Sequence, residues 1–167
     1  EEYRNLHLTV AAFQQVLDEP EFLQHKAGIV LQAYLPDSHA VQKTLTEWAT
    51  ARVANGGAPI KVRIVKGANL AMEKVEAASK GWAQAPYLTK ADVDANYKRM
   101  VLFGCQPERA KAGNLGIASH NLFDIALAIL WGHRARCAGG GTVLEKMQFE
   151  MLEGMADHQR RALSESA

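Results

Sequence analysis

The run Val62-Arg63-Ile64-Val65 ends abruptly in Lys66-Gly67-Ala68-Asn69, a cation followed by a glycine and two small residues. A short apolar segment that stops this way suits a buried parallel strand whose carboxyl end opens onto a ligand. Lys66 brings charge, Gly67 lets the backbone come close, and Ala68 leaves space. An anionic ligand is the expected occupant. Lys-Gly also ends many ordinary strands, so the other strand ends decide the reading.

The same alternation recurs along the chain. Tyr3, Leu6, Val10, Phe13 and Leu17 follow helical spacing, and Glu19-Pro20 closes that segment. Residues 28–34 form a first strand, after which Asp37 or Ser38 is expected to cap a helix carrying Val41, Leu45, Trp48, Ala49 and Val53. Ile60 to Val65 is the second strand and Leu70 to Lys80 the next helix. Thr89-Lys90-Ala91-Asp92 has the spacing of a capping box for a further helix. Residues 115–119 make a third strand, 122–130 a helix, and 146–151 a fourth strand. From Ala156 the tail is polar, expected to be helical and then frayed, with Arg160-Arg161 as solvated charges.

Strand and helix thus alternate about four times, at roughly 30 to 40 residues per unit, as βαβ units do. The fold class is α/β, and two architectures fit: part of a (βα)8 barrel or an open doubly wound sheet. No Gly-x-Gly-x-x-Gly follows a strand, which weakens the dinucleotide-binding open sheet. A full barrel takes about 250 residues, so 167 supply about half of one.

Nineteen Lys and Arg are dispersed among eighteen acids, so nothing points to nucleic acid. Cys105 and Cys137 have neither metal-ligand nor redox spacing, which makes free thiols in a reducing cytosol the expectation. No apolar run approaches the roughly 20 residues of a membrane span. The six histidines are scattered, with no pair at i, i+4, and give no reason to expect a metal.

In barrels the chemistry sits at the carboxyl ends of strands. Gln32 occupies that place on the first strand, Arg63 and Lys66 on the second, and Ser119, His120 and Asn121 after the third, while Glu150 and Glu153 bracket the end of the fourth. Taken alone, Gln32 reads first as a satisfied core amide and His120-Asn121 as a helix-capping pair. Arg63 is harder to dismiss, because a buried guanidinium needs a partner, either a carboxylate or a ligand. Ser119 and His120 are adjacent, so their side chains diverge and mark no nucleophile. A ligand with an anionic group and a polar ring edge, lying across the mouth, accounts for these residues jointly.

Residues 29–35 (IVLQAYL), 62–69 (VRIVKGAN) and 116–121 (GIASHN) closely resemble the proline dehydrogenase family, as do Gly81-Trp82 with Ala85-Pro86-Tyr87, and residues 149–155 (FEMLEGM). The wording is most similar to the catalytic region of bacterial bifunctional proline-utilisation enzymes. The resemblance implies that residues 1–167 are a partial, distorted (βα)8 TIM barrel that binds FAD. It implies oxidation of L-proline to 1-pyrroline-5-carboxylate, with a hydride passing from proline C5 to flavin N5 and electrons going on to a membrane quinone.

Roles carry over residue by residue. Arg63 is implied as the catalytic residue near N5, and Gln32 at the isoalloxazine edge. Lys66, Gly67 and Ala68 would flank the cofactor, Ser119 and His120 would contact it further along, and Leu152 would line the proline pocket. A fused or partner aldehyde dehydrogenase domain is implied, with a cytoplasmic location, peripheral at the inner membrane. Self-association is expected from the two open sheet edges. Asn69-Leu70 replaces an aromatic pair of some relatives, which would alter the pocket wall. The family's catalytic Asp, an active-site Lys and the arginine pair that clamps the proline carboxylate match no position here, so residues 1–167 alone are expected to be inactive. Two other readings stay open: a non-catalytic interaction fragment, and another flavin-binding barrel acting on a related amine.

Overall fold

The computed structural model describes residues 2–165. Helix α1 (Leu6–Asp18) is followed by strand β1 (Gly28–Gln32), α2 (Ser38–Ala54), β2 (Ile60–Val65), α3 (Leu70–Lys80) and α4 (Lys90–Gly104). Then come the short α5 (Pro107–Ala110), β3 (Gly113–Ala118), α6 (Leu122–Arg134), β4 (Gln148–Glu150) and α7 (Asp157–Glu165). The four strands form one parallel sheet in the order β1-β2-β3-β4. Each new strand is added on the same side, with no reversal of order. That is the winding of a barrel; a doubly wound sheet reverses direction at a switch point.

Alternation along β2 explains how the sheet is used. Ile60, Val62 and Ile64 are buried, while Lys61, Arg63 and Val65 on the opposite face are only half-buried. The first set packs with Leu31, Leu45, Tyr97, Met100, Leu115 and Ile117 into the core between sheet and helices. Registry places Val30, Arg63 and Gly116 side by side on three adjacent strands. The polar face of the sheet is therefore fixed by the same pairing that buries the apolar one.

Several boundaries differ from the sequence reading. β1 ends at Gln32, because Asn96 on α4 draws the following turn inward by donating to the Ala33 carbonyl at 2.9 Å. β3 begins at Gly113 and ends at Ala118, and β4 keeps only three residues. α5 was not foreseen; its signal is Pro107 at the first helical position. Neither Asp37 nor Ser38 caps α2 through its side chain. The Ser38 hydroxyl instead donates to the Gln32 carbonyl at 2.6 Å. Thr89 does cap α4, accepting from the Asp92 N–H at 3.2 Å, but the complete capping box forms at Thr142 and Glu145. The expected frayed end reaches Ser166 and Ala167, which lie outside the described residues; Arg160 and Arg161 are exposed on α7.

Arg52 ties the amino-terminal segment to this layer. Only 4% exposed, it faces no carboxylate among the described residues; its guanidinium donates to the carbonyls of Ala58 at 3.1 Å and of Phe22 and Leu23 at 2.7 Å each, and also to that of Leu17. Leu17 lies at the carboxyl end of α1, where the helix dipole favours a cation. Trp48 packs edge-on against Phe13 and donates to Asp18 at 2.9 Å, so it is a packing residue. Cys105 is a buried free thiol that burial pushes up to about 12, and Cys137 is also free. Among the described residues no helix is long and apolar enough to cross a membrane.

Arg52→Lys is expected to lose most of this fork, since one ammonium cannot satisfy carbonyls on three sides. A loss of about 3 kcal/mol, from two or more charge-assisted hydrogen bonds, should appear in the denaturation midpoint. A lysine variant as stable as the parent would contradict this account.

Candidate functional site

The carboxyl ends of the strands open onto a cavity of about 570 Å³. Gln32, Arg63, Lys66, Gly67, Ala68, Ser119, His120 and Leu152 all line it. Half-buried Val30, Val65 and Ala118 supply an apolar floor between them.

Gln32 closes β1 with its side chain buried, and its Oε1 accepts from the Ala68 N–H at 3.1 Å. It thereby fixes the loop after β2, which makes it both a satisfied amide and a wall of the cavity. Gly67 has φ of +140°, and a Cβ there would lie 2.0 Å from the Tyr34 ring. The missing side chain thus serves the packing of Tyr34 as well as access to the cavity.

Arg63 finds its partner in a carboxylate: Nε lies 2.5 Å from Glu150 Oε2, and Lys61 pairs with the other oxygen. Burial works to raise the Glu150 carboxyl, but hydrogen bonds from Lys61 and Arg63 outweigh it and hold the group below its usual range.

Lys66 stands between two acids, 2.5 Å from Asp94 on α4 and 2.7 Å from Asp124 on α6. Its ammonium also lies 5.5 Å from the centre of the Tyr97 ring. Burial alone would depress Lys66, yet the hydrogen bonds it donates to Asp124 and Asp94 more than offset it and leave the amine held above its ordinary value. Asp94 is lowered in turn, by Lys66 first and then by Lys90. Burial, followed by the charge of Asp124, pushes the Tyr97 phenol far up.

The Ser119 hydroxyl accepts from the Asn121 N–H at 3.0 Å and lies 3.3 Å from Asp124, so it braces the entry to α6. Asn121 caps that helix, accepting from the Phe123 N–H at 2.9 Å. His120 does not share the capping; its Nε2 accepts from the Leu152 N–H at 3.0 Å and pins the loop beyond β4. The other ring nitrogen, Nδ1, is buried and without a partner among the described residues. Leu152 itself is 60% exposed at the cavity rim. Among the described residues no His, Cys, Asp and Glu cluster could hold a metal ion.

Sequence reasoning missed what Asp94 and Asp124 do. Asp124 reads as an acid in the first turn of a helix and Asp94 as the partner of Lys90, both ordinary surface roles. The Glu150–Lys61 contact was also unread. Together, an apolar floor, a guanidinium at one side and an amide at the edge suit a flat ligand with one electron-rich pole.

Lys66→Met would leave the Asp124 carboxylate, 2% exposed, without its cation. The opening free energy of β2 and β3 amides in hydrogen exchange should fall by about 3 kcal/mol, as for a broken buried pair. Adding Asp124→Asn should restore much of it; an unchanged exchange pattern would show that the pair does not hold the site. For pH, Asp94 and Glu150 have folded values below their ordinary 3.8 and 4.5. Their contribution is full above those values and drains as pH falls through the depressed ones. Stability should therefore stay flat down to about pH 5 and decline below about pH 4; a decline centred near pH 6 would implicate other groups.

Comparison with known proteins follows the same lines. The family model described as proline dehydrogenase matches residues 1–167. The chain is similar to the structure of Proline Utilization A (PutA) from Corynebacterium freiburgense, with TM-score 0.91 and 48% identity over 99% of this chain and 16% of that one. It is also similar to PutA from Bdellovibrio bacteriovorus inactivated by N-propargylglycine, with TM-score 0.87, 36% identity and coverages of 99% and 16%. PutA from Bradyrhizobium japonicum, at 23% identity and TM-score 0.80, shares the fold. No curated protein sequence matches the chain. The chain thus spans about a sixth of the length of the structures it resembles.

Proposed function

The chain belongs to the proline dehydrogenase family, and we propose that it forms the cofactor side of a barrel that oxidises L-proline to 1-pyrroline-5-carboxylate with FAD. The observation that supports this most is convergence: residues from four strand ends, dispersed over the sequence from Gln32 to Leu152, line one cavity. The donor set fits the group. A flat conjugated ring suits the floor of Val30, Val65 and Ala118, and the amide of Gln32 and the guanidinium of Arg63 suit its polar edges. What bound FAD supplies is two-electron acceptance at N5, as hydride leaves proline C5, a proton leaves the ring nitrogen, and the electrons pass on to a membrane quinone.

The protein's own residues place and tune. Arg63 provides positive charge where the reduced ring becomes anionic. Gln32 hydrogen-bonds the ring edge, and Gly67 and Ala68 flank it. Lys66, neutralised by two acids, anchors the wall of the cofactor site more than it attracts phosphate. Ser119 and His120 contact the cofactor further along, and Leu152 keeps water from the proline. The 16% coverage of the matched PutA chains is consistent with a longer protein that carries an aldehyde dehydrogenase domain. Its location would be cytoplasmic, reaching the inner membrane peripherally to deliver electrons.

The test is anaerobic addition of proline to the FAD-loaded full-length protein, which should bleach the flavin. Arg63→Ala should slow that bleaching by about a hundredfold while FAD affinity falls by less than about tenfold. Equal losses in both would remove Arg63 from the reacting pole, and a flavin that proline does not bleach would overturn the proline reading.

A further inference from the structure

The ion triad at the cavity floor crosses an unusual distance. Arg63 and Lys61 lie on β2 and Glu150 on β4, with β3 between them. Neighbouring strands stand about 4.8 Å apart, so the bridge spans about twice that. It passes over Gly116, the β3 residue paired with Arg63 on one side and Gln148 on the other. A Cβ at 116 would sit 2.8 Å from Lys61 Cε, 2.9 Å from Glu150 Oε1 and 3.3 Å from the Arg63 Cα. Gly116 is absent from the residues with positive φ, so its backbone conformation is open to any residue. Space above the strand, not backbone freedom, requires glycine there.

The charges do not cancel. Two cations share one carboxylate, which leaves the triad with a net charge of +1 beside the cavity that Arg63 and Glu150 both line. Lys61 is not part of that cavity; it lies among the residues around the opposite mouth of the sheet. It also accepts no role in the reading above, and its ammonium donates to Gln148 at 2.7 Å.

Resting on the FAD reading of this site, we propose that Glu150 is a positioning residue that aims Arg63 and meters how much of its charge reaches the flavin, with Lys61 as the counterweight. Glu150 binds the guanidinium from the side, fixing its plane, and offsets part of the positive field at the reacting pole. Lys61 draws part of that carboxylate's charge away from Arg63. The two residues therefore act on the reduced, anionic ring in opposite directions. Removing the Glu150 charge favours the reduced form, and removing the Lys61 charge disfavours it.

The experiment measures the two-electron midpoint potential of the FAD-loaded full-length protein by reductive titration against a reference dye, for the parent, Glu150→Gln and Lys61→Met. Glu150→Gln should raise the reduction equilibrium constant about tenfold, a shift of about +30 mV for a two-electron couple. Lys61→Met should shift it by a similar amount in the negative direction. Residues that merely hold the fold would move both variants the same way or neither, and either result overturns the proposal. Should Glu150→Gln fail to fold, Lys61→Met decides by the sign of its shift. A parent protein whose flavin proline reduces, but whose variants keep the parent potential, refutes this role alone. A parent that retains no FAD refutes the functional reading and this role together.

Discussion

The ammonium group of Lys66 holds the end of the central strand to two helices at once. Asp94 comes from α4 and Asp124 from α6, so a single cation sets where both helices meet the carboxyl edge of the sheet. Ser119 then leans on Asp124, Asn121 starts α6, and His120 reaches across to the loop beyond β4. The cavity wall is thus a chain of dependencies that begins at one buried ion pair. Such a pair adds little net stability compared with apolar packing, but breaking it is costly. Its value lies in fixing a geometry.

The periodic content of the fold was legible in the sequence. Ile60, Val62 and Ile64 alternate with Lys61, Arg63 and Val65, and that alone gives a strand with one buried face. The strand ends were legible too, because Lys66-Gly67 and Ser119-His120 break apolar runs with residues that strands do not need. What escaped was pairing. Arg63 announced that it needed a partner, yet the carboxylate comes from a strand two places away, across a glycine with no signal of its own. Asp94 and Asp124 were hidden by roles that surface helices offer to any acid. The length of β4 and the placement of α5 also depend on tertiary contacts, which no local pattern encodes.

Similar reasoning separates placement from chemistry in the cavity itself. Several residues with functional promise turn out to have structural employment: Gln32 fixes a loop, Gly67 accommodates Tyr34, and His120 pins a turn. These duties and a ligand-binding role are compatible, since a residue locked by its neighbours presents its remaining atoms in one orientation. Rigid walls around a flat ligand reduce the reorganisation that binding or chemistry there would otherwise require.

Gly116 carries a consequence for how such chains can vary over evolutionary time. Its restriction comes from the side chains that cross above it, so the constraint belongs to a pair of strands and not to one position. A lineage that shortened both the acid at 150 and the lysine at 61 would free the space over β3, and only then could 116 accept a larger residue. The three positions should therefore change in concert, and a glycine that looks fixed for backbone reasons would be revealed as one member of a covarying set.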